Sequence, residues 1–266
     1  FDITLFSDDS KIQRKPKGHL YLYPLIAIAA MLAIVFVMDL PHMHKPKQQL
    51  SQTIRIPAGQ RAQMDLPDGS VVWLNSQTTL TYDEDFGKKD RKVTLDGEAY
   101  FEVAHNKEIP FYVQTENIKV QVTGTKFDVC SYKGSNSFIA RLIEGSINLL
   151  TNSAKEEKTI TRLTKGKYFS MENGKYRTGE MSSNNALAWM QGIYYFDDVP
   201  FKELLDKIAL YYNYKITVKN PKILENYRCT GKFKDLDGIE HILKVIQKDH
   251  PFKYDIDNEH LSLIHI

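Results

Sequence analysis

The sequence predicts a membrane-anchored chain: one transmembrane helix, then an all-β domain of sandwich or solenoid-like type, then a small α+β domain of βαββαβ type. Three observations predict it. A run of nineteen residues near the N-terminus carries no charge. A long middle stretch alternates apolar and polar residues with a period of two between turn signals, and the last part of the chain sets two helical stripes among short strands. Composition agrees, since 266 residues with 42% hydrophobic and 26% charged suit two modest cores. Basic residues number 35 and acidic ones 33, scattered along the chain, so the net charge of +2 gives no reason to expect direct nucleic-acid binding.

The anchor comes first. Residues 20–38 read LYLYPLIAIAAMLAIVFVM, close to the ~20 residues that cross the hydrocarbon core as a helix. Pro24 lies near the start, where a helix tolerates it, and Tyr21 and Tyr23 sit where interfacial aromatics belong. Lys11, Arg14, Lys15 and Lys17 precede the run, while Lys45 and Lys47 follow at greater distance. The positive-inside rule therefore puts residues 1–19 in the cytoplasm and the rest of the chain outside. VMDLPHMH offers no small-x-small cleavage site, which argues for a retained anchor over a cleaved signal peptide. Because the first residue is Phe1, residues 1–19 are expected to be the remnant of a longer cytoplasmic part.

A polar linker, residues 39–52, leads to the all-β domain, residues 53–180. Ala62, Met64 and Leu66 alternate with Arg61, Gln63 and Asp65, and Pro67-Asp68-Gly69 supplies the chemistry of a hairpin turn. Further turn signals follow at Phe86-Gly87, Asp96-Gly97, His105-Asn106, Gly124, Gly134, Gly145, Gly166 and Asn173-Gly174, with β-branched and aromatic residues between them.

LDGEAYFEVAHN, residues 95–106, gathers acids and a histidine as an active site would. On a helix, Glu102 and His105 would share a face, as in carboxylate-bridged metal sites. The surrounding period is that of a strand, however, which turns Ala99, Phe101 and Val103 to the core and Glu98, Tyr100 and Glu102 to solvent. Asp96-Gly97 and His105-Asn106 are then the entering and leaving turns, and no metal or acid/base site is expected.

IPAGQRAQMDLPDGSVVWLNSQTTLTY, RKVTLDGEAYFEVAHNKEIPFYVQT, VQVTGTKFDVCSY and ARLIEGSINL, taken in that order, resemble the periplasmic domain of FecR-family anti-sigma regulators from Ser51 to Met171. PAGQR, LPDGS-x-VWLN, GEAYFEV and GT-x-F-x-V are the markers that carry the likeness. The resemblance implies a single-pass inner-membrane protein with its C-terminal domains in the periplasm, whose missing N-terminal domain binds an extracytoplasmic-function sigma factor. It departs at the N-terminus, where the residues before the span are too few for the family's sigma-binding helices.

The last domain, residues 186–266, opens with a short aromatic strand, Ile193 to Phe196, and passes through Asp197-Asp198 into a helix. Phe201, Leu204, Leu205, Ile208 and Tyr212 form its buried stripe, Pro200 and Glu203 stand in its first turn, and Asn213 ends it. Strands YKITV and YRCTGKF follow, then a second helix with Asp237 as N-cap, Glu240 closing a capping box, and Ile239, Ile242, Leu243 and Ile246 buried. FKYDI, a turn at Asp257-Asn258 and HLSLIHI complete the order. This part is similar to the C-terminal domain that often follows FecR domains, and to the short signalling domain at the N-termini of secretins and TonB-dependent receptors. The likeness implies a second partner, the signalling domain of a TonB-dependent outer-membrane receptor.

Candidate chemistry elsewhere is sparse. Cys130 and Cys229 fall in different domains and are expected to be free thiols. His42 and His44 flank the span, and His241, His250, His260 and His265 are dispersed. No nucleophile elbow or phosphate loop occurs, so no catalytic residue, cofactor or metal is expected, and the chain is not expected to be an enzyme. The leading reading is a transmembrane anti-sigma regulator that relays a periplasmic signal. The alternatives are a membrane-anchored glycan- or cell-wall-binding module with a platform such as Tyr82 or Tyr132, and a metal-dependent periplasmic enzyme. For partner docking the candidates are Trp189, at the domain boundary, and Leu261, Leu263 and Ile264, on a terminal strand that lacks charge or proline to blunt a free edge.

Overall fold

The computed structural model describes residues 22–43, 50–152, 157–181, 184–221, 224, 227–257 and 260–264. One compact unit, ending at Gln48, contains α1, Leu22–Met43, and the other starts at Gln49. The described side chains of α1, among them Ile26, Met31, Leu32 and Phe36, are all exposed. Leu22, Tyr23, Leu25, Val35 and residues 37–43 have side chains outside the described set, and among the described residues no helix is long and apolar enough to cross a membrane.

The second unit opens with thirteen strands: β1 Ser51–Arg55, β2 Ala62–Asp65, β3 Val71–Leu74, β4 Thr79–Asp83, β5 Arg91–Glu102, β6 Phe111–Gln114, β7 Ile118–Val122, β8 Lys126–Ser131, β9 Ser137–Glu144, β10 Ser146–Thr151, β11 Thr159–Thr164, β12 Lys167–Glu172 and β13 Lys175–Glu180. They form one continuous sheet, and β5 is its hinge. The first half of β5 pairs with β4 and β6, and the second half with β3 and β8. The rows β1-β4-β5-β6-β7-β10-β11 and β2-β3-β5-β8-β9-β12-β13 thus share one strand, and the sheet curls into a half-barrel around a single core. Phe101 stacks on Phe127 at 5.1 Å and meets Phe111, from the other row, edge-on at 5.9 Å. The domain is all-β as expected, but it is neither two separate sheets nor a stack of repeats.

Gly97 shows why one strand serves two rows. Asp96-Gly97 was expected as a turn; instead β5 runs straight through it. At Gly97 the backbone takes φ +134°, and a Cβ there would lie 2.4 Å from Thr78 Oγ1. The Thr78 hydroxyl accepts from Glu98 N–H and donates to Glu98 C=O, both at 3.1 Å, replacing the neighbouring strand at the crossing point. Glycine is needed because the close approach leaves no room for a side chain.

Arg91 ties two marker segments together. Although 2% exposed, its guanidinium donates to Ala104 O (2.7 Å), Ile109 O (2.7 Å), Asn106 O (3.1 Å) and the Asp68 carboxylate (3.1 Å). Asp68 in turn accepts from Ser70 N–H and Oγ–H, and Ser70 Oγ accepts from Ala104 N–H. The polar residues of LPDGS and EVAHN therefore serve as fasteners for loops. A charge this deeply buried is tolerated because it is paired with a carboxylate and hydrogen-bonded.

The α+β domain follows a 3₁₀ helix, Asn184–Gln191, and consists of β14 Ile193–Pro200, α2 Phe201–Tyr212, β15 Lys215–Val218, β16 Arg228–Lys234, α3 Ile239–Asp249, β17 Lys253–Asp257 and β18 His260–Ile264. Phe201, Leu204, Leu205 and Ile208 of α2 meet Ile239, Ile242, Leu243 and Ile246 of α3 in a second core. Tyr212 packs against this core as expected, and Tyr211 beside it is buried as well. Three expectations need correction. Asp197-Asp198 is a bulge inside β14, which runs on to Pro200 beyond the expected Phe196, with Asp198 at φ +48°. Asp237 does not cap α3: its carboxylate turns back to Lys234 N–H at 2.8 Å, and Gly238 takes the cap position. Last, β18 is no edge, because it pairs with β15 on one side and β17 on the other. Strand addition at Leu261, Leu263 and Ile264 would need main-chain groups that are already bonded.

Candidate functional site

The two domains of the second unit meet at the end of α2. A helix ends with unpaired carbonyls that need donors, and α2 receives them from the β-domain. Tyr211 O accepts from Gly59 N–H at 2.9 Å and from Ser76 Oγ–H at 3.1 Å, and Leu210 O accepts from the Gln77 amide. The Tyr211 hydroxyl returns a bond to Gly59 O at 2.9 Å. Arg61 pairs with Asp235 at 2.5 Å beside it. Gly59 and Arg61 belong to PAGQR, and Ser76 and Gln77 follow the VWLN marker, so two marker loops hold the end of α2.

Next to this clamp the domains leave a cleft of about 580 Å³. Its floor is a charged cluster. Arg141 on β9 lies 2.6 Å from the Asp128 carboxylate, its cross-strand partner on β8, and 3.7 Å from Glu98 on β5. Asn75 donates to Glu98 at 2.6 Å. Burial, and then the charge of Glu98, push the Asp128 carboxyl up to about 7. Burial works against the charge of Arg141, but Asp128 and Glu98 outweigh it and raise the guanidinium above its ordinary value. Two carboxylates, the fully buried Asp128 and the partly buried Glu98, thus share one partly buried cation. Asp128 Oδ1 and Trp189 Nε1 are buried without a hydrogen-bond partner among the described residues.

Of the expected docking residues, Trp189 is 3% exposed and packed into this interface, so it is not a free surface for another chain. The side chains of Leu261, Leu263 and Ile264 lie outside the described set. Tyr82 and Tyr132 form no platform: Tyr82 is in the β-core, and the Tyr132 hydroxyl donates to Ser76 O at 2.9 Å. Glu102 pairs with Lys126 at 3.2 Å, and His105 packs against Gly124. No group of three metal-ligating side chains occurs among the described residues, and His44 and His265 lie outside them. Both cysteines are free. The cluster Glu98–Asp128–Arg141 escaped sequence reading, because only the strand register brings residues 30 and 13 positions apart together.

A curled half-barrel whose loops hold the end of a helix from a small α+β domain is the two-domain arrangement of the second unit. Residues 52–148 match the FecR protein family and residues 193–263 the FecR C-terminal family, together more than half of the chain. The chain belongs to the FecR family, which is non-enzymatic. It is similar to a candidate anti-sigma factor from Parabacteroides distasonis ATCC 8503, solved at 2.50 Å, with 25% identity and a TM-score of 0.69 over 82% of this chain and 100% of that one. A second solution of such a factor from the same strain, at 1.65 Å, gives 25% identity and a TM-score of 0.69 over 81% and 99%. No curated protein matches the chain.

Proposed function

We propose that the protein is a single-pass anti-sigma regulator of the inner membrane. The segment around α1 crosses the bilayer, and the two docked domains stand in the periplasm. They receive a signal from the short signalling domain of a TonB-dependent outer-membrane receptor and pass it to an extracytoplasmic-function sigma factor on the cytoplasmic side. The reading rests chiefly on the FecR domain followed by the FecR C-terminal domain, in an order and arrangement shared with the Parabacteroides candidate anti-sigma factors. The run of nineteen uncharged residues, 20–38, supports the crossing, because about 20 such residues span the hydrocarbon core as a helix. The clamp on α2 supports the relay, because force applied to the small domain reaches the half-barrel through fixed bonds.

The test is genetic and biochemical. In the host, deletion of residues 193–263 should change transcription from the promoters of one alternative sigma factor, and that factor should co-purify with the full-length protein. An unchanged transcript profile with no sigma factor recovered would overturn the reading. A reporter enzyme active only in the periplasm should work when fused after Ile266; activity only of a cytoplasmic reporter there would overturn the topology.

A further inference from the structure

The interdomain cleft is larger than a packing defect and falls within the size of small-molecule sites, which favour domain boundaries. The family relationship assigns nothing to it. Its chemistry narrows what would enter. Arg141 is already neutralised by Asp128 and Glu98, Glu98 is bonded by Asn75, and Lys207 lies 3.6 Å from Glu203. An anion would meet no uncompensated cation, and the one deeply buried carboxylate, Asp128, stands outside the lining, while Glu98 within it is held by both Arg141 and Asn75. The apolar and aromatic part of the wall then favours a neutral guest. The half-buried rings of Tyr168, on β12, and Tyr195, on β14, come from opposite domains, and Gly179 leaves room for the Tyr168 ring to lie over it. Glu180 and Asp197 bring exposed carboxylates that accept hydrogen bonds in water. Aromatic surface for C–H faces, ringed by acceptors, amide and guanidinium donors, is the set that recognises a ring carrying many hydroxyls.

We propose that the cleft between the half-barrel and the α+β domain is a binding site for a neutral saccharide, and that its occupancy tightens the docking of the two domains. A guest touching both walls binds the docked arrangement and not the separated one, so it shifts the pair toward docking by its differential affinity. The site would let the periplasmic part sense a small molecule directly, independently of whether a sigma factor is the final target.

The full chain is solubilised in a zwitterionic detergent free of sugar. Maltose, cellobiose and diacetylchitobiose, each at millimolar concentration, are tested by saturation-transfer NMR and by thermal melting, with 1,5-diaminopentane as a cationic control. At least one disaccharide should show saturation transfer and raise the melting temperature. Glu180→Gln with Asp197→Asn, both at exposed positions, should weaken it about fivefold. Ala186→Trp, at an exposed lining position, should fill the cleft and abolish binding while the protein still melts cooperatively. The proposal falls if none of the disaccharides gives saturation transfer, if binding survives unchanged in Ala186→Trp, or if only the diamine binds. Loss of sigma control with saccharide binding intact would count against the proposed function and not against the site.

Discussion

Phe101 and Glu102 are neighbours with opposite fates, and strand geometry decides which is which. Phe101 is fully buried against Phe127 and Phe111, while Glu102 makes a half-exposed pair with Lys126. Phe101→Ala should cost about 3 kcal/mol or more in urea denaturation, and Glu102→Gln less than about 0.5 kcal/mol. Arg91→Met should also be severe, about 3–5 kcal/mol, because it strands the buried Asp68 carboxylate and three carbonyls. A loss under about 1 kcal/mol in the same assay would mean that water already serves these groups. Asp128 gives a pH dependence. Its folded carboxyl lies at about 7, raised above an unfolded value near 4, so its contribution to stability is complete below about pH 4 and is lost as pH rises through about 7. Glu98→Gln removes the second carboxylate and should shrink that loss. Equal losses in both proteins, measured as unfolding free energy across this window, would show that Glu98 is not the cause.

At the scale of the element, the last turn of α2 depends on a foreign domain. Leu210 O and Tyr211 O accept from the loops at Gly59 and Ser76-Gln77. Ser76→Ala and Gln77→Ala should each cost about 1 kcal/mol. Their combined effect should appear as faster amide exchange at Asn213 and Tyr214, whose N–H groups bond Ala209 O at the helix end, with exchange in α3 unchanged. Uniformly faster exchange across the domain would instead mean global destabilisation. The same dependence explains a residue that the helical stripe did not include. Tyr211 is buried where it bonds Gly59 of the β-domain, which no period within α2 encodes. Likewise Tyr100 was expected to face water, yet it is buried, with its ring 5.4 Å from that of its cross-strand neighbour Trp73, a contact set by the register of β3 on β5.

For the whole molecule, the clamp makes the half-barrel and the α+β domain one compact unit. Calorimetry on the intact chain should give a single cooperative transition from residue 49 onward. Arg61→Ala together with Tyr211→Phe removes the Asp235 ion pair and the Gly59 bond and should split the transition in two. A single transition in that variant would mean that the domains are joined by more than these contacts.

The sequence by itself determined the class of the two domains: the period-two strands between turn residues, and the stripes Phe201–Ile208 and Ile239–Ile246. These depend on spacing within one element, and spacing is written in the chain. The markers, too, named the family before any geometry was known. Only the tertiary structure decided that β5 passes through Gly97 as a hinge rather than turning there, that β18 is central rather than an edge, and that Glu98, Asp128 and Arg141 meet under a cleft. Each of these follows from register or from contact between segments far apart in sequence, where the deciding partner, Thr78, β15 or α2, is not a neighbour in the chain.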